Sequence, residues 1–301
     1  MVGKKFVPGV MADANGSFIL LMLTMYGISM PFMGWLVSRV PAQKIEERKM
    51  TAGQWIIAFL MCYGLMYAGN LIGTALTFGI GMVKGTGVDN PLVSTVMQLN
   101  PWVTFVIAVL IAPTAEELLF RKLLTDRIVK YGELAAVLAS GLFFGLFHGN
   151  LNQFSYAFLL GLFLGFIYVK TGKLRYTIGL HMAVNFIGSS LGTWMLRVTG
   201  YMDTMETLTK FLNTKDLTVL ADLGNGIVGM FIFGSYASLI LMMAGAGLIL
   251  TWLNRKKFVC CAPEEKVASL GKKKAAVMIG NPGILLYGTF WIGIMIWQLL
   301  Q

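Results

Sequence analysis

Charge is scarce in this sequence. Only 13% of its 301 residues are Asp, Glu, Lys or Arg, where a soluble globular domain carries about a quarter. That shortage excludes an ordinary water-soluble fold. Cysteine occurs three times and histidine twice. Cys62, Cys260 and Cys261 show no CxxC spacing and supply no disulfide framework. No HExxH pair marks a zincin helix, and no Ser-His-Asp arrangement stands out. The roughly ten-residue alternating segments of a membrane barrel are missing too, as are internal repeats and low-complexity tracts.

Apolar residues are what the chain has instead, at 56% of the total. Runs of about 20 recur, each long enough at 1.5 Å per residue to cross a hydrocarbon core of about 30 Å. The pattern predicts an all-α, polytopic transmembrane helical bundle with about eight spans. They fall near 17–38, 53–83, 101–128, 133–149, 153–170, 176–198, 224–253 and 275–299. We read residues 1–301 as a single integral membrane domain, with a core at about 101–198 and flanking spans over 17–84 and 224–299. The first apolar run has no small-residue cleavage site directly after it and reads as an uncleaved span. Gly141/Gly145 and Gly161/Gly165 are spaced for close helix packing. Cys260 and Cys261 adjoin the basic loop 254–274, a setting that permits acylation but more simply makes them juxtamembrane cysteines. Asn15-Gly16-Ser17 is a short sequon match. The stretch 200–223 is expected to be an outside loop without an assigned role.

The net charge of +10 reads as membrane topology rather than nucleic-acid binding. If loops alternate sides, 17 of the 24 Lys and Arg fall on one side and six on the other. The basic side is then cytoplasmic and both termini lie outside. Of the 14 acidic residues, only Glu116 and Glu117 sit within a span interior. Ionisable groups at that depth are expensive and mark function by default.

In "AEELLFRK", Glu117 and Arg121 are four apart and share a helix face, so they can pair. Glu116 points about 100° away and has no partner in that turn, which suits a general base. The two histidines are His148 in "GLFFGLFHGN" and His181 in "GLHMAVNF", with Asn185 one turn beyond His181. The turn between the third and fourth spans centres near Tyr131-Gly132, so Glu116 and His148 stand at one depth of a helical hairpin. A glutamate and a histidine can deprotonate a water, and a second histidine with an amide can stabilise an oxyanion. Glu116, His148 and His181 also have the makings of a catalytic zinc site. The structural alternatives are an ion-pair network, packing histidines and an asparagine bridging helices. Convergence of these residues between Glu116 and Asn185 argues against them.

"EELLFR", "FGLFH" (Phe144 to His148) and "HMAVN" resemble, in order, the EExxxR, FxxxH and HxxxN motifs of the type II CAAX prenyl protease family, also called CPBP or Abi. The matched region runs from about Pro113 to Ile187. The resemblance implies an intramembrane endopeptidase with its cavity open to the cytosol. The resemblance further implies action on membrane-associated peptides or lipidated proteins in the bilayer. It also implies that Glu116 and His148 activate water, that His181 and Asn185 form the oxyanion hole, and that Glu117 and Arg121, with Phe144 of the second motif, support the site. No cofactor is required in that scheme; zinc held by Glu116, His148 and His181 is the alternative. The rivals are a non-catalytic immunity or partner-binding protein on the same scaffold and a proton-coupled transporter. A compact chain of this kind is expected in a bacterial plasma membrane.

Overall fold

The computed structural model describes residues 9–10, 13–88, 91–218, 223, 226–263 and 280–300. Among them there is no strand. Ten helices of eight residues or more follow one another among the described residues: α1 Ala14–Ser38, α2 Ala52–Lys84, α3 Pro91–Gln98, α4 Pro101–Tyr131, α5 Glu133–Phe147, α6 Leu151–Thr171, α7 over 174–198, α8 Tyr201–Thr214, α9 Gly226–Lys257 and α10 Pro282–Leu300.

Six of these (α1, α2, α4, α6, α9 and α10) are long and apolar enough to cross a membrane, which marks a multi-pass integral membrane protein. Eight spans were expected. The fourth, α5, is apolar but only 15 residues long. The sixth, α7, is helical throughout but carries Arg175, His181, Asn185, two serines and Arg197, which dilute its apolar character. The eighth begins at Pro282 rather than 275, and residues 275–279 lie outside the described set. The expected loop 200–223 is helical over Tyr201–Thr214. Of the basic loop 254–274, Arg255–Lys257 form one 3₁₀ turn, and residues 264–274 lie outside the described set.

Local chemistry sets the helix ends. Thr51 and Gln54 form a reciprocal capping box at the start of α2. Asn100 caps α4 and Asn150 caps α6 through their side-chain oxygens. Proline sets the helix interiors. Pro31 in α1 and Pro113 in α4 each lack an amide hydrogen, and each ring crowds the carbonyl four residues back. The backbone answers with a widened π-helical stretch just upstream, Leu23–Ser29 before Pro31 and Phe105–Ile111 before Pro113. Hydroxyls take up loosened carbonyls: Ser29 donates to Thr24 O at 3.1 Å and Thr114 to Leu110 O at 2.6 Å.

Small residues set the packing. A Cβ on Gly161 would lie 3.0 Å from Gly141 Cα and 2.9 Å from Phe144 Cδ1, so α5 and α6 touch backbone to backbone, as the glycine spacing predicts. α2 meets α9 in the same way: a Cβ on Gly64 would lie 2.7 Å from the Leu248 nitrogen. The main core joins Ala58, Cys62 and Tyr63 of α2 to Leu160 and Leu164 of α6, Leu180 and Val184 of α7, and Ala244 of α9.

At the basic end of the bundle, residues 40–50 run without regular structure across three helix ends. Gln43 N donates to Asp126 O at 2.7 Å, Arg48 N to Thr171 O at 2.8 Å and Met50 N to Tyr176 Oη at 3.1 Å. Gly172, at φ +60°, leaves room for this strap: a Cβ there would lie 2.7 Å from Glu46 O. Nearby, Glu133 pairs with Lys170 and accepts Cys261 N at 2.7 Å.

Candidate active site

The site is built on α4 between two widened turns. Ala112–Glu117 is regular α-helix, flanked by π-helical Phe105–Ile111 and Leu118–Thr125. Arg121 lies in the second of these stretches. Glu117 and Arg121 are both fully buried, and Glu116 is 6% exposed. The Arg121 Nε to Glu117 Oε2 separation is 3.1 Å. This is an ion pair off the axis of a hydrogen bond, and Arg121 Nη1 has no hydrogen-bond partner among the described residues. The guanidinium is instead held flat: its carbon lies 4.6 Å from the Phe144 ring centroid, and Nη2 reaches Gly161 O at 3.5 Å.

His181 reaches this pair from α7. Its Nδ1 lies 2.9 Å from Glu117 Oε1 and its Nε2 3.8 Å from Glu116 Oε2. An ionised carboxylate only accepts, so Nδ1 carries the proton toward Glu117, and Nε2 is the ring nitrogen that faces Glu116. Glu117 thus has partners of its own, Arg121 and His181 among them.

His148 ends α5, where Gly149 at φ +60° turns the chain. Its Nδ1 lies 2.9 Å from the Phe144 carbonyl, which can only accept, so Nδ1 donates. In the neutral ring the lone pair is then on Nε2. Phe144 is the hub between these groups, with ring centroids 5.0 Å from His148 and 5.5 Å from His181, both edge-on.

Asn185, one turn beyond His181, donates its amide to Ala108 O at 2.9 Å. That carbonyl belongs to the widened turn before Pro113, so the asparagine is drawn to backbone that proline has loosened. The fold therefore brings Glu116, Glu117, Arg121, Phe144, His148 and His181 around one locus, with Asn185 tied beside it.

The donor set expected for zinc was Glu116, His148 and His181. Among the described residues no three His, Cys, Asp or Glu side chains come together as a ligand group. His181 faces Glu116 with one ring nitrogen and Glu117 with the other, so the three do not point at a common centre.

One residue at this locus was not expected. Tyr26, in the widened turn of α1, donates its hydroxyl to Glu116 Oε1 at 2.6 Å. The only signal in the sequence is a tyrosine within an apolar run, since a hydroxyl buried there must find a partner.

Residues 98–187 match the family model described as Type II CAAX prenyl endopeptidase Rce1-like. The match takes in every residue of the site except Tyr26. No curated protein and no solved structure matches the chain.

Proposed function

We propose, from the Rce1-like type II CAAX prenyl endopeptidase domain that this chain carries over residues 98–187, that it hydrolyses peptide bonds of membrane-associated substrates inside the bilayer. Membership of that family implies an intramembrane peptidase of CAAX type. The observation that carries the reading is the buried cluster of Glu116, Glu117 and His181 within that domain. Such charges are retained in an apolar setting when they do chemistry.

The chemistry divides among these residues. Glu116 takes a proton from water, assisted by His148, whose Nε2 is not engaged by the Phe144 carbonyl, and the water oxygen bonds to the scissile carbonyl carbon. His181, as an imidazolium that donates from Nε2 as well as Nδ1, and Asn185 stabilise the oxygen that becomes negative. The C–N bond then breaks, and the proton passes to the leaving amine. Glu117 and Arg121 hold His181 and the α4 backbone in register. Phe144 spaces the two imidazoles. No step is routed through a metal, in keeping with donors that do not converge as a set of three. The substrate is a membrane-associated peptide or a lipidated protein.

The same reading treats residues 1–301 as one membrane domain of eight crossings, with α5 and α7 joining the six longer helices. Two contacts support that count. Asn100 N donates to Asn15 Oδ1 at 2.7 Å and Lys84 Nζ to Leu299 O at 2.6 Å. Both lie at the end away from Arg39 and Lys170, so the two ends of the bundle's chain share a side. By the basic-side rule that side is outside and the site drains to the cytosol, in a bacterial plasma membrane.

The test is cleavage by purified protein in detergent or liposomes, with membrane peptides from cells expressing wild type or Glu116→Ala supplying candidate substrates. Loss of cleavage in folded Glu116→Ala and His148→Ala is expected. Wild-type rates in either would remove the reading. Failure of the wild type to cut, with partner capture intact, would favour a binding protein; ion flux through liposomes would favour a transporter.

A further inference from the structure

We infer that Tyr26 is a positioning residue for this hydrolysis, holding the Glu116 carboxylate by its Oε1 so that Oε2 faces the reacting water. The inference rests on the peptidase reading above and adds to it a residue outside the matched segment.

The two glutamates are held very differently. Glu117 has an ion pair with Arg121 and a 2.9 Å hydrogen bond from His181. Glu116, among the described residues, has one hydrogen bond, the 2.6 Å contact from Tyr26. Its other near neighbour, His181 Nε2, stands off at 3.8 Å from Oε2, beyond hydrogen-bond distance. A glutamate side chain has three rotatable torsions. Among the described residues, no other hydrogen bond fixes where the Glu116 carboxylate points.

Tyr26 has little other reason to be there. α1 is little embedded in the bundle, with Leu21, Leu23, Ile28 and Phe32 all exposed and only Met30 buried. The widened turn Leu23–Ser29 brings one residue, Tyr26, against the cluster formed by Leu119, Phe120, Phe143 and Phe144. A phenylalanine would make the same packing contact. The hydroxyl adds only the bond to Glu116. Because the bond takes one oxygen, the other remains as the acceptor, and it lies on the His181 side, where the oxyanion donors are. The first span thereby completes a site whose other parts lie on α4, α5 and α7.

The test compares steady-state kinetics of wild type, Tyr26→Phe, Leu23→Ala and Glu116→Ala on one peptide substrate. Tyr26→Phe is expected to lower kcat about ten- to hundredfold, the scale of a reacting group displaced by about 1 Å. KM and the thermal unfolding temperature should stay at wild-type values. Leu23→Ala, in the same turn but exposed, should leave kcat unchanged. The infrared carboxylate band of Glu116, assigned by its loss in Glu116→Gln, should shift in Tyr26→Phe, which a packing role alone would not cause. Wild-type kcat in Tyr26→Phe with Glu116→Ala inactive would remove the role of Tyr26 alone, and an unmoved carboxylate band would remove it as well. Glu116→Ala cutting at wild-type rate would remove the peptidase reading itself.

Discussion

His181 Nδ1 lies 2.9 Å from Glu117 Oε1, and this contact commits Nδ1 to donating a proton. The other nitrogen is thereby left facing Glu116, so His181 stands between the ion-paired carboxylate and the one proposed as the general base. Removing the ring should cost both functions. His181→Ala is expected to lose about 10²–10³ in kcat, as for loss of an oxyanion donor. It should also lose about 1.5–3 kcal/mol of stability, because Glu117 gives up a charged hydrogen bond. Cleavage rates and denaturant unfolding in detergent read the two losses separately.

The Glu117–Arg121 pair is fully buried, so breaking it leaves a charge without its counter-charge. Glu117→Ala or Arg121→Met should each destabilise the protein by about 3–5 kcal/mol. The double variant Glu117→Gln/Arg121→Met removes both charges and should recover part of that loss while remaining inactive. Unfolding curves for the three variants check the order; a double variant less stable than either single change would contradict it.

Phe144 should behave as a spacer rather than as mere filling. Phe144→Ala opens a void beneath both histidines and Arg121 and should cost about 3–5 kcal/mol. Phe144→Leu keeps most of the volume but removes the ring face under the guanidinium, 4.6 Å away. It should fold and show reduced kcat. Equal kcat in Phe144→Leu and wild type would assign the ring to packing alone.

The contact of α5 with α6 leaves no space for a side chain. At Gly161 a Cβ would lie 3.0 Å from Gly141 Cα, which is backbone and cannot turn aside. Gly161→Val should therefore cost at least about 1–3 kcal/mol and shift His148, at the end of α5, away from Glu116. Gly234→Val, with nothing within 4 Å of its Cβ, serves as the comparison and should be close to neutral. Melting temperature and kcat measured on both variants decide.

Metal removal gives a further check. With no set of three donors at the site, 1,10-phenanthroline or EDTA should leave cleavage unchanged, and added zinc should not raise it. Loss of activity on chelation with recovery on zinc would place Glu116, His148 and His181 in a different arrangement from the one described.

What the sequence revealed and what it hid follow from how each kind of information is encoded. Glu116, Glu117 and Arg121 were legible because charges in an apolar run are conspicuous. His148 and His181 were legible because the chain has only two histidines. Tyr26 was not, because a tyrosine in a span is ordinary until its neighbour 90 residues away is known. The partition of His181 and Asn185 was equally hidden: both are polar donors one turn apart, yet one faces the glutamates and the other caps Ala108 O. The spans were legible as apolar runs. The short α5 and the polar α7 were harder to judge, since a helix shielded by its neighbours need not meet the hydropathy of one bathed in lipid. The helix Tyr201–Thr214 escaped notice because its threonines and acids resemble loop composition, although Thr207, Thr209 and Thr214 simply return their hydroxyls to carbonyls one turn back.

The strap formed by residues 40–50 carries a consequence for assembly. Its amides cap the Asp126 and Thr171 carbonyls, yet it is synthesised long before either helix that presents them. The first two spans must therefore enter the bilayer with this connector unsatisfied, and it closes only when α4 and then α6 arrive. The order of docking is thus written into the chain: the connector acts as a clasp that stays open during translation and fastens once α4 and α6 are in place.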